Sequence, residues 1–303
     1  LSDTEYKSLE GMMDACWQGN RPAIVTFQLH CTDLGAELDG LHAMLRAMAE
    51  VVVEQNLGRF NVLHYDEPAE LPDMKVGPMV MTKDGPMVHA NLEKRILQKG
   101  FYLLLATEGQ GGDAIRRLQL MRSILCAACG RCAAFDRVFE GVLSEGEKLG
   151  AASNSLQMPQ RGFRAILSSE GFGRKLTEAF LAAASQPKFE AALEVFNAAL
   201  DQTNLSAKHL LYWSALEALG GGPGRLGNRL AAAYGTTTQA LESLIPFRRL
   251  KEARDHVAHR GHHSALSQAD ERILQGIFVD LLVFDLHGAQ IQTARLLHEA
   301  LGD

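Results

Sequence analysis

The sequence predicts an α+β protein: a mixed α/β region over residues 1–150, followed by an all-α antiparallel helical bundle over residues 170–303. Three observations carry this reading. Near the N-terminus, two runs rich in β-branched and aromatic residues flank an apolar stripe at helical spacing. A turn signal of hairpin type follows them. From Asp113 onward, apolar residues recur at three- and four-residue intervals almost to the C-terminus.

The elements follow in order. Residues 23–29 and 59–65 have the composition of strands. Between them, residues 33–56 place Leu34, Leu38, Leu41, Leu45, Met48 and Val52 along one helix face. Pro68 and Pro72 break the chain. Residues 76–81 and 86–89 flank Lys83-Asp84-Gly85, a hairpin turn. Residues 101–107 fit either a strand or the start of a buried helix, and Gly109–Gly112 is a loop. Asp113 is a fair N-cap for a helix running to about Val142. Residues 144–172, rich in Ser, Gly and Gln with Pro159, read as an irregular connection. Pro187 opens a helix with Phe189, Leu193, Phe196 and Leu200 on one face. Ser206 begins the next, which ends at Gly220. A segment from about Thr237 is interrupted by Pro246 and resumes through Arg254 and His259. Ser267–Asp270 has the form of a capping box. It opens a last long helix with Ile273, Ile277, Leu281 and Leu282 on its buried stripe. Successive helices joined by short connections make an antiparallel bundle.

Composition narrows the function classes. Hydrophobic residues make up 47% and charged residues 22%, the balance of a globular chain. The formal charge of −6 argues against a protein that coats nucleic acid indiscriminately. No apolar run reaches the roughly 18 residues a bilayer span needs, so no membrane partner is expected. The start, Ser2-Asp-Thr-Glu-Tyr6, lacks signal-peptide form. Five cysteines, an odd number, argue against a disulfide framework and for a reducing, cytoplasmic setting.

The charge is unevenly spread. Residues 247–263 hold Arg248, Arg249, Lys251, Arg254 and Arg260 against Glu252 and Asp255, with His256, His259, His262 and His263 among them. Arg254 is a permanent cation that can grip a phosphate with two parallel hydrogen bonds. His259 changes charge near neutrality and suits proton transfer. A phosphate clamp beside a proton shuttle is what metal-independent cleavage of an RNA phosphodiester requires. On one helix, residues five apart diverge by about 140°, so Arg254 and His259 do not converge easily on one small phosphate.

Arg254-x4-His259, with Asp255 in the following polar position, resembles the R-x(4–6)-H motif of the HEPN superfamily of all-α ribonucleases and nucleotide-binding domains. Upstream, Leu210-Leu-Tyr-Trp-Ser-Ala-Leu-Glu-Ala-Leu219 resembles the Ala-Leu-Glu helix that precedes the motif helix in the Apea-like branch. The match covers about residues 187–300. The resemblance implies a homodimer in which both motif copies line one cleft. It implies an endoribonuclease whose substrate 2′-hydroxyl attacks the adjacent phosphate, with no cofactor and no metal. Arg254 would bind the scissile phosphate, His259 would act as general base or acid, and Asp255 would orient one of them. Glu217 would orient Arg254. His256, Arg249 and Arg260 complete the candidate RNA contacts. Arg260 stands where some active members carry a Tyr. Many such proteins act in toxin–antitoxin or antiviral defence. The N-terminal region would then sense a trigger ligand, meet an inhibitory partner, or position RNA. The alternative is a non-catalytic module of the same fold that holds RNA, a nucleotide or a protein.

Other motifs have plainer readings. Cys126-x2-Cys129-x2-Cys132 lacks a fourth nearby ligand, and its small apolar surroundings fit helix packing. The tandem His262-His263 rarely supplies two ligands of good geometry. Gly222-Pro-Gly224-Arg-Leu-Gly227 matches a dinucleotide fingerprint by letter, but no strand precedes it, so it reads as a helix-connecting loop. Arg225 and Arg229 there would add to an RNA-binding rim. Walker A, H-E-x-x-H and G-x-S-x-G patterns do not occur.

Overall fold

A computed structural model describes residues 8–32, 38–76, 79–82, 85–88, 93–129, 136–144, 147–152, 169–202, 204–222, 224–260 and 267–301. It is mixed α+β and divides into two units. The first unit comprises Leu1–Arg122 and Ala133–Arg164, the second Ser123–Cys132 and Ala165–Asp303.

The first unit is organised by β1 (Ile24–Thr32), whose alternation sorts its side chains between two faces. Val25, Phe27 and Leu29 enter a core with Met12 and Met13 of α1 (Leu9–Cys16) and Leu63 and Tyr65 of β2 (Arg59–Tyr65). Thr26, Gln28, His30 and Thr32 alternate with them and are also buried. Between β1 and β2 lies α2 (Leu38–Glu54), with Leu41, Leu45, Met48 and Val52 buried along the stripe the sequence predicts. Next come β3 (Ala69–Val76), β4 (Met79–Thr82), β5 (Gly85–Val88), β6 (Glu93–Leu97) and β7 (Gly100–Glu108). β4 and β5 form the predicted hairpin, with Thr82 opposite Gly85. β3 pairs with β6. The segment left open between strand and helix is the strand β7, central beside β1.

Sequence expectations are overturned at two places. Pro72 does not end the chain's extended run: β3 passes through it, with a register shift between Leu71 and Lys75. The helix predicted from Asp113 to about Val142 ends at Cys129, as α3 (Gly112–Cys129). β8 (Asp136–Ser144) and β9 (Glu147–Ala152) follow as an antiparallel pair. β8 adds to the far side of β1 and completes a five-stranded antiparallel sheet of order β2-β7-β1-β8-β9. Phe139 and Leu143 lie four residues apart and mimic a helix stripe. In the strand they share one face with Gly141 between them, and pairing to β1 decides the outcome. The connection predicted over residues 144–172 therefore begins with a strand. Residues 153–168 lie outside the described ones.

The second unit is helical. It contains α4 (Glu170–Ala184), α5 (Pro187–Leu200), α6 (Leu205–Gly220), α7 (Leu226–Ala233), a 3-10 turn at Leu241–Ser243, α8 (Phe247–Arg260), α9 (Gln268–His287) and α10 (Thr293–Leu301). Ser169 caps α4 by accepting from the Phe172 amide. Pro187 occupies the first turn of α5, and Phe189, Leu193, Phe196 and Leu200 are buried as predicted. Asn204, two residues ahead of the expected start at Ser206, caps α6 by accepting from Ala207 N. Gly221 closes α6 at φ 77°, a left-handed conformation that favours glycine. The capping box of Ser267 and Asp270 opens α9, whose Ile273, Ile277, Leu281 and Leu282 are buried. α6 packs against α5, α7, α8 and α9, which explains why it is apolar on most sides. Stacked Phe196 and Phe278, with ring centroids 4.2 Å apart, mark the bundle centre, and Phe180 and Tyr212 lean on them.

The C-terminal helix is held by one buried carboxylate. Asp280 of α9 accepts from the Thr293 and Ala294 amides, at 2.6 and 2.9 Å, and from the Tyr234 hydroxyl. It thereby satisfies the first amides of α10. Gly276, one turn earlier on α9, admits α10 at close range: a Cβ there would lie 2.9 Å from Ala294 Cα. Burial pushes the Asp280 carboxyl up to about 6, against the hydrogen bonds from Tyr234, Ala294 and Thr293 that favour its ionised form. The folded chain thus takes up this proton more readily than the unfolded chain. The stabilisation from this group is complete below pH 4 and is lost as pH rises through about 6, a change of about 3 kcal/mol. Asp280→Asn is uncharged and keeps one oxygen, for the Ala294 amide and the Tyr234 hydroxyl, at the cost of the bond from the Thr293 amide. In thermal melts from about pH 4.5 to about pH 7.5, the variant should gain stability relative to wild type as pH rises. Parallel curves for the two proteins would contradict this assignment.

Candidate functional site

The site is assembled where α6 meets α8. His209, Trp213 and Glu217 stand four apart on α6 and so share one face. Phe247, Leu250 and Arg254 recur at three- and four-residue spacing on α8. The two stripes meet. Trp213 stacks on Phe247 at 5.7 Å between ring centroids, and His209 stacks on Trp213 at 6.2 Å. His209 Nε2 lies 3.1 Å from the Leu250 carbonyl oxygen, so it donates there as the Nε2–H tautomer. Burial lowers the His209 pKa and keeps this ring neutral.

This aromatic seam leads to Arg254. Glu217 Oε1 accepts from Trp213 Nε1 and from an Arg254 terminal nitrogen, both at 2.8 Å. The other terminal nitrogen of Arg254 donates to Asp255 Oδ1 at 2.8 Å. The hydrogen bond to Asp255, reinforced by the charge of Glu217, raises the Arg254 pKa. A guanidinium carries five N–H groups, and two are spent on these carboxylates. The rest remain for an anion, and the side chain is 25% exposed.

The structure therefore brings Glu217, Arg254 and Asp255 together, and it does not bring His259 to Arg254 within one chain. His259 lies four residues after Asp255, about 40° round the helix, and so shares the Asp255 face. His256 and His259 are exposed. Among the described residues no hydrogen bond joins His259 to Arg254 or Asp255. The side chain of Arg260, and all of Gly261, His262 and His263, lie outside the described residues.

The basic run seen in the sequence is largely neutralised by its own partners. Arg248 pairs with Glu252 at 3.1 Å, and Arg249 pairs with the buried Asp270. Arg254 faces two carboxylates. Arg249 is thus a tie from α8 to the start of α9, and about half of its side chain stays accessible. A linear charge count cannot show this, because Asp270 and Glu217 come from other helices.

Sequence reading missed the seam residues Trp213 and His209. Their four-residue spacing with Glu217 was the available signal. It also missed a buried pair beside them, Lys208 with Glu271 at 3.1 Å, to which Tyr212 adds a long 3.5 Å contact. The described residues contain no cluster of three or more His, Cys, Asp or Glu able to hold a metal. Cys126 and Cys129 are buried on α3, and Cys132 is outside the described residues. None of the described helices is long and apolar enough to cross a membrane.

Chemically, the arrangement offers a pre-oriented guanidinium with spare donors and an exposed imidazole on the adjoining face. Comparison with family models, curated proteins and solved structures finds no match to the chain.

Proposed function

We propose that the chain is a metal-independent endoribonuclease of HEPN type, working as a homodimer. The observation that carries the reading is the Glu217–Arg254–Asp255 cluster, with His259 on the Asp255 face of the same helix. Two carboxylates fix the guanidinium before substrate arrives, so little side-chain entropy is lost on binding phosphate. Arg254 holds the scissile phosphate and offsets the charge that grows on its oxygens. A base takes the proton from the substrate 2′-hydroxyl, whose oxygen attacks the adjacent phosphorus. The 5′-oxygen leaves with a proton from an acid. The products are a 2′,3′-cyclic phosphate and a 5′-hydroxyl. His259 fills one of these proton-transfer roles, and Asp255 orients Arg254.

The roughly 140° divergence of Arg254 and His259 supports the dimer. A two-fold pair can set His259 of one copy against Arg254 of the other around one cleft. His256, Arg249 and Arg260 then contact the flanking RNA. A reducing, cytoplasmic setting suits the odd set of cysteines. A role in toxin–antitoxin or antiviral defence is an extension by fold analogy alone.

One observation favours the second reading, a non-catalytic RNA, nucleotide or protein-binding module. Glu217, Arg254 and Asp255 sum to a net negative charge, which weakens the pull on a phosphate. A mixed RNA pool incubated with excess EDTA separates the readings. Cleavage by wild type and its loss in His259→Ala support the nuclease. Intact RNA at every protein concentration supports the binding module.

A further inference from the structure

The corner between α6 and α7 forms an open groove lined by Leu219, Gly220, Gly221, Arg225, Asn228 and Arg229. Its volume is about 580 Å³, and it is broadly open to solvent. The last residue of α6, Gly220, and its glycine cap, Gly221, are among the lining residues. Gly221 lies one helical turn past Glu217 and on the same face of α6, about 6 Å along the axis. The groove therefore lies at the C-terminal end of α6, one turn beyond the residue that anchors Arg254.

Its charge differs from that of α8. Among the described residues no carboxylate pairs with Arg225, which is exposed. Arg229 is ordered by Asp285, itself largely buried, and by the Phe284 ring 5.4 Å from its guanidinium carbon. About half of Arg229 faces solvent. Asn228 accepts from the Thr238 hydroxyl at 3.0 Å through its oxygen, which leaves its amide N–H groups as donors. The wall thus presents two guanidinium groups and an amide donor, with Asp285 tucked beneath Arg229. Polyanion chemistry fits such a wall. On α8, by contrast, Arg248, Arg249 and Arg254 are all ion-paired.

We propose that this groove holds the phosphates of the single-stranded RNA flanking the cleaved bond. The proposal rests on the ribonuclease reading and adds substrate-holding charge beside α8, where three of the arginines are ion-paired. Arg225 carries the main electrostatic contact, and Arg229 with Asn228 sets the position of the strand.

The test uses the full chain with His259→Ala as the background, so that RNA is bound without being cut. Affinity for a labelled single-stranded oligoribonucleotide is followed by fluorescence anisotropy over a range of KCl concentrations. Arg225→Ala should weaken binding about three- to tenfold at low salt. It should also flatten the slope of log affinity against log salt by about 0.7, the share of one single-strand phosphate contact. Arg225→Glu should weaken binding further. Asn228→Asp, which adds a carboxylate and leaves the fold intact, should act in the same direction. Unchanged affinity and slope in all three variants, with RNA still bound by the background protein, overturns the proposal even if wild type cleaves RNA. An equal Arg225 dependence for duplex DNA also overturns it, since the groove would then be a general polyanion site. Arg225-dependent RNA binding in a protein whose wild type never cleaves supports the groove and removes the nuclease reading alone. Absence of any RNA binding removes both.

Discussion

RNA cleavage by the His259→Ala variant is expected to fall by about 10²–10⁴-fold, the range a positioned proton-transfer group contributes. His259 is exposed near the last turn of α8, so its removal opens no cavity and leaves no buried partner stranded. The loss should therefore appear in the rate and leave thermal stability within about 0.5 kcal/mol of wild type. This separates a chemical role from a structural one. Single-turnover cleavage and thermal melting on the same preparations measure the two. Wild-type rates in the variant would remove His259 from the mechanism.

The second large effect concerns Arg254. Arg254→Ala should lower cleavage by about 10²–10³-fold through loss of charge stabilisation at the phosphate. It should also cost about 1–2 kcal/mol of stability, because Glu217 is left with Trp213 as its remaining donor and Asp255 loses its tether. Arg254→Lys keeps the charge, but a compact ammonium cannot span the two carboxylates and the phosphate together. It should restore more of the fold than of the activity. Glu217→Gln refines the point. Its amide oxygen still accepts from Trp213, while the charge that holds Arg254 disappears. Folding should be nearly unchanged and cleavage about tenfold slower. Full activity in both Arg254→Lys and Glu217→Gln would show that the fixed guanidinium is not needed.

Much of the frame is legible in the sequence, and the reasons are local. The stripe of α2, the Pro187 start of α5 and the capping box of α9 each follow from short-range chemistry: periodicity, a first-turn proline and reciprocal capping. β8 was misread because Phe139 and Leu143 have helical spacing. Pairing with β1, over a hundred residues upstream, and with β9 makes that segment a strand. The site divides in the same way. Arg254, Asp255 and His259 are neighbours in sequence and were legible as a motif. Glu217 was legible through the resemblance of its helix. The Trp213–Phe247 stack, the His209 bond to the Leu250 carbonyl and the neutralisation of Arg249 by Asp270 all depend on how separate helices meet. A charge count along residues 247–263 therefore overstated the field at α8. The loop dismissed as a letter match, around Arg225, proves to line a groove.

The central claim is a transesterification driven by the substrate's own 2′-hydroxyl. Once a cleavage position in an oligoribonucleotide is mapped, a second oligonucleotide with a single 2′-deoxy sugar at that position tests it most directly. With EDTA present, the all-ribose strand should yield a 2′,3′-cyclic phosphate end and a 5′-hydroxyl end. The 2′-deoxy strand should remain whole at that bond. Cleavage of the 2′-deoxy strand at an equal rate, or products ending in a 3′-hydroxyl and a 5′-phosphate, would contradict the account.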